Sequence, residues 1–339
     1  MAHKIQEIAK LANVNKSTVS KVLNNYSGVS AKTRDKVMKV VNELNYKPNL
    51  MARKLRSSQP SNIGIFMPGM FFRDRINSYY LGEFLKKISI LVNDNDYQLS
   101  VQVPRATQDR YAYLNAVEGK NIDAAIIVFP EHNDPGLEEL DKNNVPVVLV
   151  GCTSGSLDYV MPDSKQGAAQ VMEHLIELGN RDIAFIGGSV NRISFQDRLE
   201  TYRNKLSEHN IPVNENLVIP CSNADEKAGY EGMKRLLGHK PTAVFASSDV
   251  IAMGAFRAIQ EAGLRIPEDV AVAGFDDMPF AALTNPSLTT VNVPFDEIGA
   301  EAFNMLIKRI KENPLERQVN MFPAELIIRG STSKAVHQG

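Results

Sequence analysis

The chain has 339 residues, 43% of them hydrophobic, an ordinary globular composition too long for one simple core, so two or three compact units are expected. Its net charge of −1 conceals an asymmetry: residues 1–59 hold 12 Lys and Arg against 3 Asp and Glu, a net of +9, while the remainder carries −10. A basic block on an acidic body points to a polyanion met by the block alone, and nucleic acid suits it better than a solvated tail because the block has helical periodicity.

The opening Met1-Ala2-His3-Lys4 lacks the apolar run of a signal peptide, so export is not expected. The longest apolar stretches, 124–129 and 145–150, are far short of the roughly 20 residues of a membrane span. A cytoplasmic location without membrane contact follows as an expectation. Cys152 and Cys221 lie far apart, without metal or redox spacing, and read as buried thiols in a reducing compartment. The six histidines are scattered with no pair at helical ligand spacing, so neither a metal nor a cofactor is expected.

Ile5, Ile8, Ala9 and Ala12 fall at helical spacing and form one apolar stripe. Asn13 suits the left-handed residue of a tight interhelical turn, and Asn15 suits the cap of a second helix. That helix, 16–23, hides Val19, Val22 and Leu23 and turns Lys16, Ser17, Ser20 and Lys21 outward. Ser30 opens a third helix with Val37, Val40, Val41 and Leu44 inward. Two short helices on a tight turn, braced by a third, make a helix-turn-helix whose second helix enters a DNA groove.

The string IQEIAKLANVNKSTVSKVLNN, followed by VSAKTRDKVMKVVNELNYKPN, resembles the headpiece of the lactose-repressor (LacI/GalR) family of bacterial transcription regulators. The resemblance implies that Lys16, Ser17 and Lys21 read base edges in the major groove. It places Thr18, Ser20 and Asn24 of the same core among the DNA-contacting residues. A lysine at the sixth position of this helix favours guanine acceptors. Pro48-Asn49-Leu50-Met51-Ala52-Arg53-Lys54-Leu55-Arg56 has helix-forming composition but is too short to be stable alone. On residues alone it could be a plain linker. The resemblance makes it a hinge helix that pairs with its copy over the minor groove, with Leu55 wedged into a base step beside Ala52 and Arg53.

From residue 63 onward, short β-branched runs at 63–67, 99–103, 124–129, 145–150, 183–186, 217–219, 243–246 and 270–274 alternate with helical segments such as 80–93, 166–178, 195–209 and 251–262. Eight runs in that rhythm predict parallel sheets, doubly wound, in two lobes. Ligands of such folds sit beyond the carboxyl ends of the strands. The segments there are Pro68-Gly69-Met70, Pro130-Glu131-His132, Gly187-Gly188-Ser189, Ser247-Ser248-Asp249 and Phe275-Asp276-Asp277. Asp249 and Asp277 read equally well as helix N-caps.

DRLETYRNKL, ASSDVIAMGAFRAI, VAVAGFDD and NPSLTTVNVPFDEIG extend the resemblance to about Thr332, and through the family to periplasmic sugar-binding proteins. The implied architecture is an all-α helix-turn-helix headpiece (1–47), a hinge helix and linker (48–60) and an α/β, two-lobed, periplasmic-binding-protein-like (type I) sensor with doubly wound parallel sheets (61–332). Lobe 1 takes about 61–160 and 289–320, and lobe 2 about 161–288 and 321–332. The crossovers are placed near 161, 285–288 and 320–322. By motif, Arg198, Ser248, Asp249 and Asp276 match effector-contact positions, and Ser194 matches a weaker one. The chain departs from the family in the segment 71–80 and at Ala224, where several relatives stack an aromatic on the ligand. No contact is therefore assigned in the first lobe.

The expected function is a transcriptional repressor of carbohydrate-utilisation genes, acting as a homodimer on palindromic operator DNA and switched by a small-molecule effector, a sugar or sugar derivative. The leucine heptad that builds tetramers in the family's name-giving member is absent, which predicts a dimer. An enzyme is the rival class, but no Ser-His-Asp pattern, phosphate loop or paired catalytic carboxylates stand out, and Ile186-Gly187-Gly188-Ser189 lacks the third glycine of a dinucleotide fingerprint. A transport binding protein would need a signal peptide and no headpiece. A phosphocarrier protein as co-effector, used by the family's catabolite regulators, is the alternative within regulation.

Overall fold

The computed structural model describes residues 5–23, 28–44, 62–69, 72, 78–103, 110–120, 122–188 and 191–333. The chain divides into two compact units, Met1–Gln59 and Pro60–Gly339. The expected hinge helix at 48–60 lies outside the described residues, as do Asn24, Ala52, Arg53 and Leu55.

The first unit holds α1 (Ile5–Leu11), α2 (Lys16–Leu23) and α3 (Ala31–Glu43). Its core is Ile8, Ala9, Ala12, Val19, Val22, Val37, Val40 and Val41, all buried. Asn13 takes the left-handed conformation at φ 49°, which bends the chain between α1 and α2. The turn closes with the Val14 amide donating to the Ala9 carbonyl at 3.0 Å, and α2 opens with the Thr18 amide donating to the Asn15 carbonyl at 2.9 Å. The Ser30 hydroxyl accepts from the Thr33 amide at the start of α3. Arg34 reaches from α3 to the Val22 carbonyl at 3.4 Å, tying the third helix to the end of the second.

The second unit contains two parallel sheets. The first has the order β11-β5-β4-β3-β1-β2, from β1 (Asn62–Phe66), β2 (Gln98–Gln102), β3 (Ala124–Val128), β4 (Val147–Val150), β5 (Asp158–Pro162) and β11 (Val319–Phe322). The second has the order β7-β6-β8-β9, from β6 (Ile183–Gly187), β7 (Val218–Pro220), β8 (Ala243–Ala246) and β9 (Ala271–Ala273). A short antiparallel pair, β10 (Thr290–Asn292) and β12 (Glu325–Ile327), completes the strands.

Both sheets are covered on both faces, and successive strand residues divide between the two coverings. Ile63, Ile65, Ile126 and Val148 join Phe84 and Ile88 of α4 (Ser78–Asp94) and Ile298, Ala302 and Leu306 of α11 (Phe295–Glu312). Phe66, Ala125, Ile127 and Leu149 instead meet Tyr113 and Val117 of α5 (Ala112–Lys120) and Leu140 of α6 (Pro135–Lys142). In the second sheet, Phe185 and Phe245 face α7 (Ser164–Glu177) and α8 (Ile193–Glu208), while Ala184, Ile186 and Val244 face α9 (Glu226–Leu237) and α10 (Asp249–Glu261).

The chain passes between the lobes three times, and the crossings lie later than the sequence suggests. β5 stays in the first sheet through Pro162, and β11 lies in it as a whole through Phe322. The middle crossing follows β10, because Thr289 and Asn292 bridge to Ala273 and Asp276 at the edge of the second sheet. β5, β10, β11 and β12 carry no long β-branched run and were not expected. β5 is held by its first residue: Asp158, 1% exposed, accepts from Arg309 of α11 at 2.5 and 2.9 Å and from the Gln318 amide at 2.7 Å. That ion pair fastens the C-terminal helix and strand to the first sheet.

Helices α9 and α10 meet backbone to backbone. A Cβ on Gly229 would lie 2.0 Å from the Ile251 carbonyl oxygen, and one on Gly254 would lie 2.0 Å from that of Glu226. Neither backbone can yield without separating the helices, so Gly254→Ala should lower stability by about 1–3 kcal/mol despite alanine's better helix propensity. Gly119, also helical, would meet nothing within 4 Å. Gly119→Ala should therefore be neutral or stabilising, and urea unfolding of the two variants should move in opposite directions.

Candidate functional site

A cavity of about 50 Å³ lies between the lobes, room for about four water molecules. Its second-lobe wall comprises Arg192, Ser194, Phe195, Arg198, Ala224, Ser248 and Asp276; its first-lobe wall comprises Tyr80, Phe129, Pro162 and Phe295. Ser194 and Arg198 stand one turn apart on α8, so one helical face delivers both.

Asp276 follows β9 at φ 115° and Asp277 follows at φ 52°, conformations that cost L-residues about 1–3 kcal/mol each. The surroundings enforce them. The Asp276 amide donates to the Val291 carbonyl at 2.8 Å, the Asp277 amide to the Thr290 hydroxyl at 3.3 Å, and the Asp277 carboxylate pairs with Arg329 at 2.7 Å. Asp277 is thus fixed by an ion pair and caps no helix. The short 3-10 turn Pro279–Leu283 that follows has Met278 at its cap.

The Asp276 carboxylate is 5% exposed and is contacted from both lobes. Arg198 approaches one oxygen at 3.7 Å, and the Tyr80 hydroxyl, from the first turn of α4, donates to the other. Arg198 also donates to the Ser247 carbonyl at 2.5 Å and lies 3.6 Å over the Phe275 ring, while its Nε has no partner. On the first lobe Phe295 packs edge-on to Tyr80, with ring centres 5.4 Å apart, and to Phe129 at 6.3 Å. Gly151 makes room for Phe129, since a Cβ there would lie 2.3 Å from the ring. Two further contacts close the cleft: Tyr79 packs on Phe280 at 5.9 Å, and the His132 amide donates to the Asn191 carbonyl at 2.8 Å.

The candidate effector residues occupy different positions. Ser194, Arg198, Ser248 and Asp276 line the cavity. Asp249 does not; it is 0% exposed and accepts from the Thr290 hydroxyl at 2.5 Å and the Met278 amide at 2.7 Å. Ser248, not Asp249, caps α10, accepting from the Ile251 amide at 3.3 Å. Tyr80, Phe129, Pro162, Phe295 and Arg192 were not singled out from the sequence. Phe129 directly follows β3, Pro162 closes β5 and Phe295 opens a helix, so the signal available was their place at element ends. In the first unit Lys16, Ser17 and Lys21 are exposed, while Thr18 and Ser20 are half-buried rather than turned fully outward.

Among the described residues no group of His, Cys, Asp and Glu could hold a metal, and no helix is long and apolar enough to cross a membrane. Cys152 is buried but Cys221 only half-buried, and burial pushes both thiols up to about 11. Both remain protonated and unreactive near neutrality.

A helix-turn-helix unit joined to a two-lobed α/β unit with a cleft between its sheets defines a DNA-binding regulator with a sensor body. Residues 4–49 match the family described as bacterial regulatory proteins, lacI family, and residues 172–332 match the periplasmic binding protein-like domain. The HTH-type transcriptional repressor PurR of Escherichia fergusonii is 32% identical over 338 residues, covering 97% of this chain and 96% of that protein. The lac repressor dimer bound to operator and the anti-inducer ONPF superposes with a TM-score of 0.86 at 25% identity, covering 98% of this chain and 100% of the other. The transcriptional regulator CelR in complex with cellobiose gives 0.74 at 28% identity, covering 97% and 99%. The chain belongs to the lacI family of bacterial regulatory proteins; it is a DNA-binding transcription regulator and not an enzyme.

Burial pushes the Asp276 carboxyl up to about 6, against the opposing pull of Arg198 and the Tyr80 hydroxyl. The unfolded chain releases that proton near 3.8, so between 3.8 and about 6 the folded state binds the proton more tightly. The associated stabilisation is complete below the unfolded value and disappears as pH rises through the folded one. Relative to Asp276→Asn, the unmodified protein should therefore lose melting temperature as pH rises across this window. A difference that stays flat with pH would show that the carboxyl titrates as it does in water.

Proposed function

We propose that the chain is a homodimeric repressor of carbohydrate-utilisation genes whose operator affinity is switched by a small effector, a sugar or sugar derivative, bound between the lobes. The observation that carries this reading is the cavity itself: a buried Arg198–Asp276 pair faces the rings of Tyr80, Phe129 and Phe295 across the cleft. An ionised carboxylate accepts from hydroxyls, a guanidinium donates to them, and aromatic faces cover the apolar side of a ring. Such a ligand exceeds the cavity, so it enters with the Tyr80–Asp276 bond broken and the lobes parted. It shifts the lobe arrangement only by its differential affinity for the two arrangements.

The operator is read by the exposed Lys16, Ser17 and Lys21 of α2, with Thr18, Ser20 and Asn24 beside them. Leu55, Ala52 and Arg53 of the hinge segment act in the minor groove, and the operator is a near-palindrome with half-sites about one helical turn apart. Lys21→Ala should cost about 1–3 kcal/mol mainly at one base position, because it removes a base contact. Leu55→Ala should weaken binding to the bent operator and spare nonspecific, phosphate-driven binding. Selection from random DNA, followed by titration of both variants on the selected site, checks each role; an asymmetric site would refute the symmetric dimer.

A thermal-shift screen of sugars, sugar phosphates and purines, followed by operator binding with each hit, tests the sensor. A ligand at about 100 times its Kd should stabilise the protein by roughly 2.7 kcal/mol. Arg198→Ala should need a much higher effector concentration for the same change in operator affinity. Normal response with reduced melting temperature would make Arg198 a purely structural residue.

A further inference from the structure

The first and last crossings between the lobes are short and lie side by side. A single residue, Asp163, separates β5 from α7, and its amide donates to the Phe322 carbonyl at 2.8 Å, which joins the first crossing to the end of β11. Beyond that point the last crossing is fixed by a row of polar side chains on α7. Gln166, Gln170 and His174 stand four residues apart and so share one helical face. The Ala324 amide donates to Gln166 at 3.2 Å. Gln170 donates to the Ala324 carbonyl at 3.0 Å and accepts from the Leu326 amide at 2.8 Å. His174 bonds to the Thr332 hydroxyl at 2.8 Å.

β12 pairs with β10 along one edge. On its other edge the glutamine amides take the place of a strand, because a side-chain amide offers the same donor and acceptor as a peptide group. The last crossing is thereby confined to Pro323, the one residue between β11 and the held residue Ala324. A hinge works through a few residues that absorb a change in backbone angle, so shortening it restricts the rotation available. The row is also graded. Gln166, nearest the crossing, is exposed and makes the longest bond, while Gln170 and His174 are half-buried and bond more closely. It therefore yields first at the hinge end. The Ser164 hydroxyl, on the first residue of α7 and 1% exposed, has no partner among the described residues. The closed arrangement thus leaves a buried polar group unsatisfied beside the hinge, which disfavours it against one that gives this hydroxyl a bond.

We propose that Gln166 and Gln170 form a releasable clasp on the last crossing that holds the cleft closed, so that opening of the lobes peels Ala324 and then Leu326 from α7. Neither glutamine lines the cavity, so both are positioning residues that act through the hinge. Two holds then oppose opening, the Tyr80–Asp276 bond across the cleft and the clasp at the crossing.

Amide hydrogen exchange on the full-length protein tests this without any ligand, so its outcome is separate from that of the effector reading. The His132 amide, which donates to the Asn191 carbonyl across the cleft, reports opening. The Ala324 and Leu326 amides report the clasp, and the amides of β3 and β8 report overall stability. Gln170→Leu removes two hydrogen bonds and leaves the Ala324 carbonyl and the Leu326 amide without that partner. It should speed exchange at His132 about tenfold and leave β3 and β8 unchanged. Gln166→Ala should speed it about two- to threefold, and Gln170→Glu, which keeps the acceptor for Leu326 but loses the donor to Ala324, should fall between. Unaltered exchange at His132, whatever happens at Ala324 and Leu326, makes the glutamines a local cap on a strand edge and overturns the proposal. Acceleration of β3 and β8 by the same factor as His132 overturns it as well, because the variant then only loosens the fold. If Gln170→Leu does not fold, Gln166→Ala, a change at an exposed side chain, decides by the same comparison.

Discussion

The sensor body is organised around one buried carboxylate, Asp276, held at once by a cation of its own lobe and a hydroxyl of the other. Moving a charged pair out of water costs several kcal/mol, and such a pair persists only with good geometry and further hydrogen bonds. Here the geometry is built by the backbone. Two residues at positive φ after β9, fixed by the neighbouring β10, aim the carboxylate into the cleft. Helix α8 brings Arg198 under it, stacked on Phe275, and α4 brings Tyr80 from the opposite side. Each of the three groups meets another at the cleft, so the carboxylate that pairs with a cation in its own lobe also joins that lobe to the other.

Much of this was legible in the sequence because the elements that bury both faces announce themselves. The runs AAIIV of β3, VVLV of β4 and AVFA of β8 are continuous and apolar, as interior parallel strands must be. The expected helices lie within two residues of α4, α7, α8 and α10. The headpiece was equally plain, since its apolar stripes and the αL asparagine at position 13 are local signals. What was not legible depends on partners far away in the chain. Strand β5 begins with an aspartate and ends with a proline, and its identity rests on Arg309 and Gln318, some 150 residues on. β11 and β12 are half-exposed and short, with no pattern to set them apart from loop.

The site shows the same division. Ser194, Arg198, Ser248 and Asp276 were reached through motif, and the structure places all four at one cavity wall. Asp249 carries the same motif but turns inward to Thr290 and Met278, a distinction of side-chain direction that adjacent serine and aspartate in the sequence cannot express. The aromatic wall of Tyr80, Phe129 and Phe295 was missed because three separate segments supply it. Only the return of α11 to the first lobe puts the Phe295 ring beside the other two.

That return has a consequence for how the protein is made. When residue 162 leaves the ribosome, five of the six strands of the first sheet have been made but neither β11 nor the helix that covers Phe84 and Ile88. Translation to residue 322 takes about ten to thirty seconds more. In that interval nearly the whole second lobe emerges as one continuous stretch and can close on itself. The lobe encoded first therefore waits for a strand and a helix made near the end of the chain, and until then it offers an open sheet edge and an uncovered apolar face to whatever meets the nascent chain.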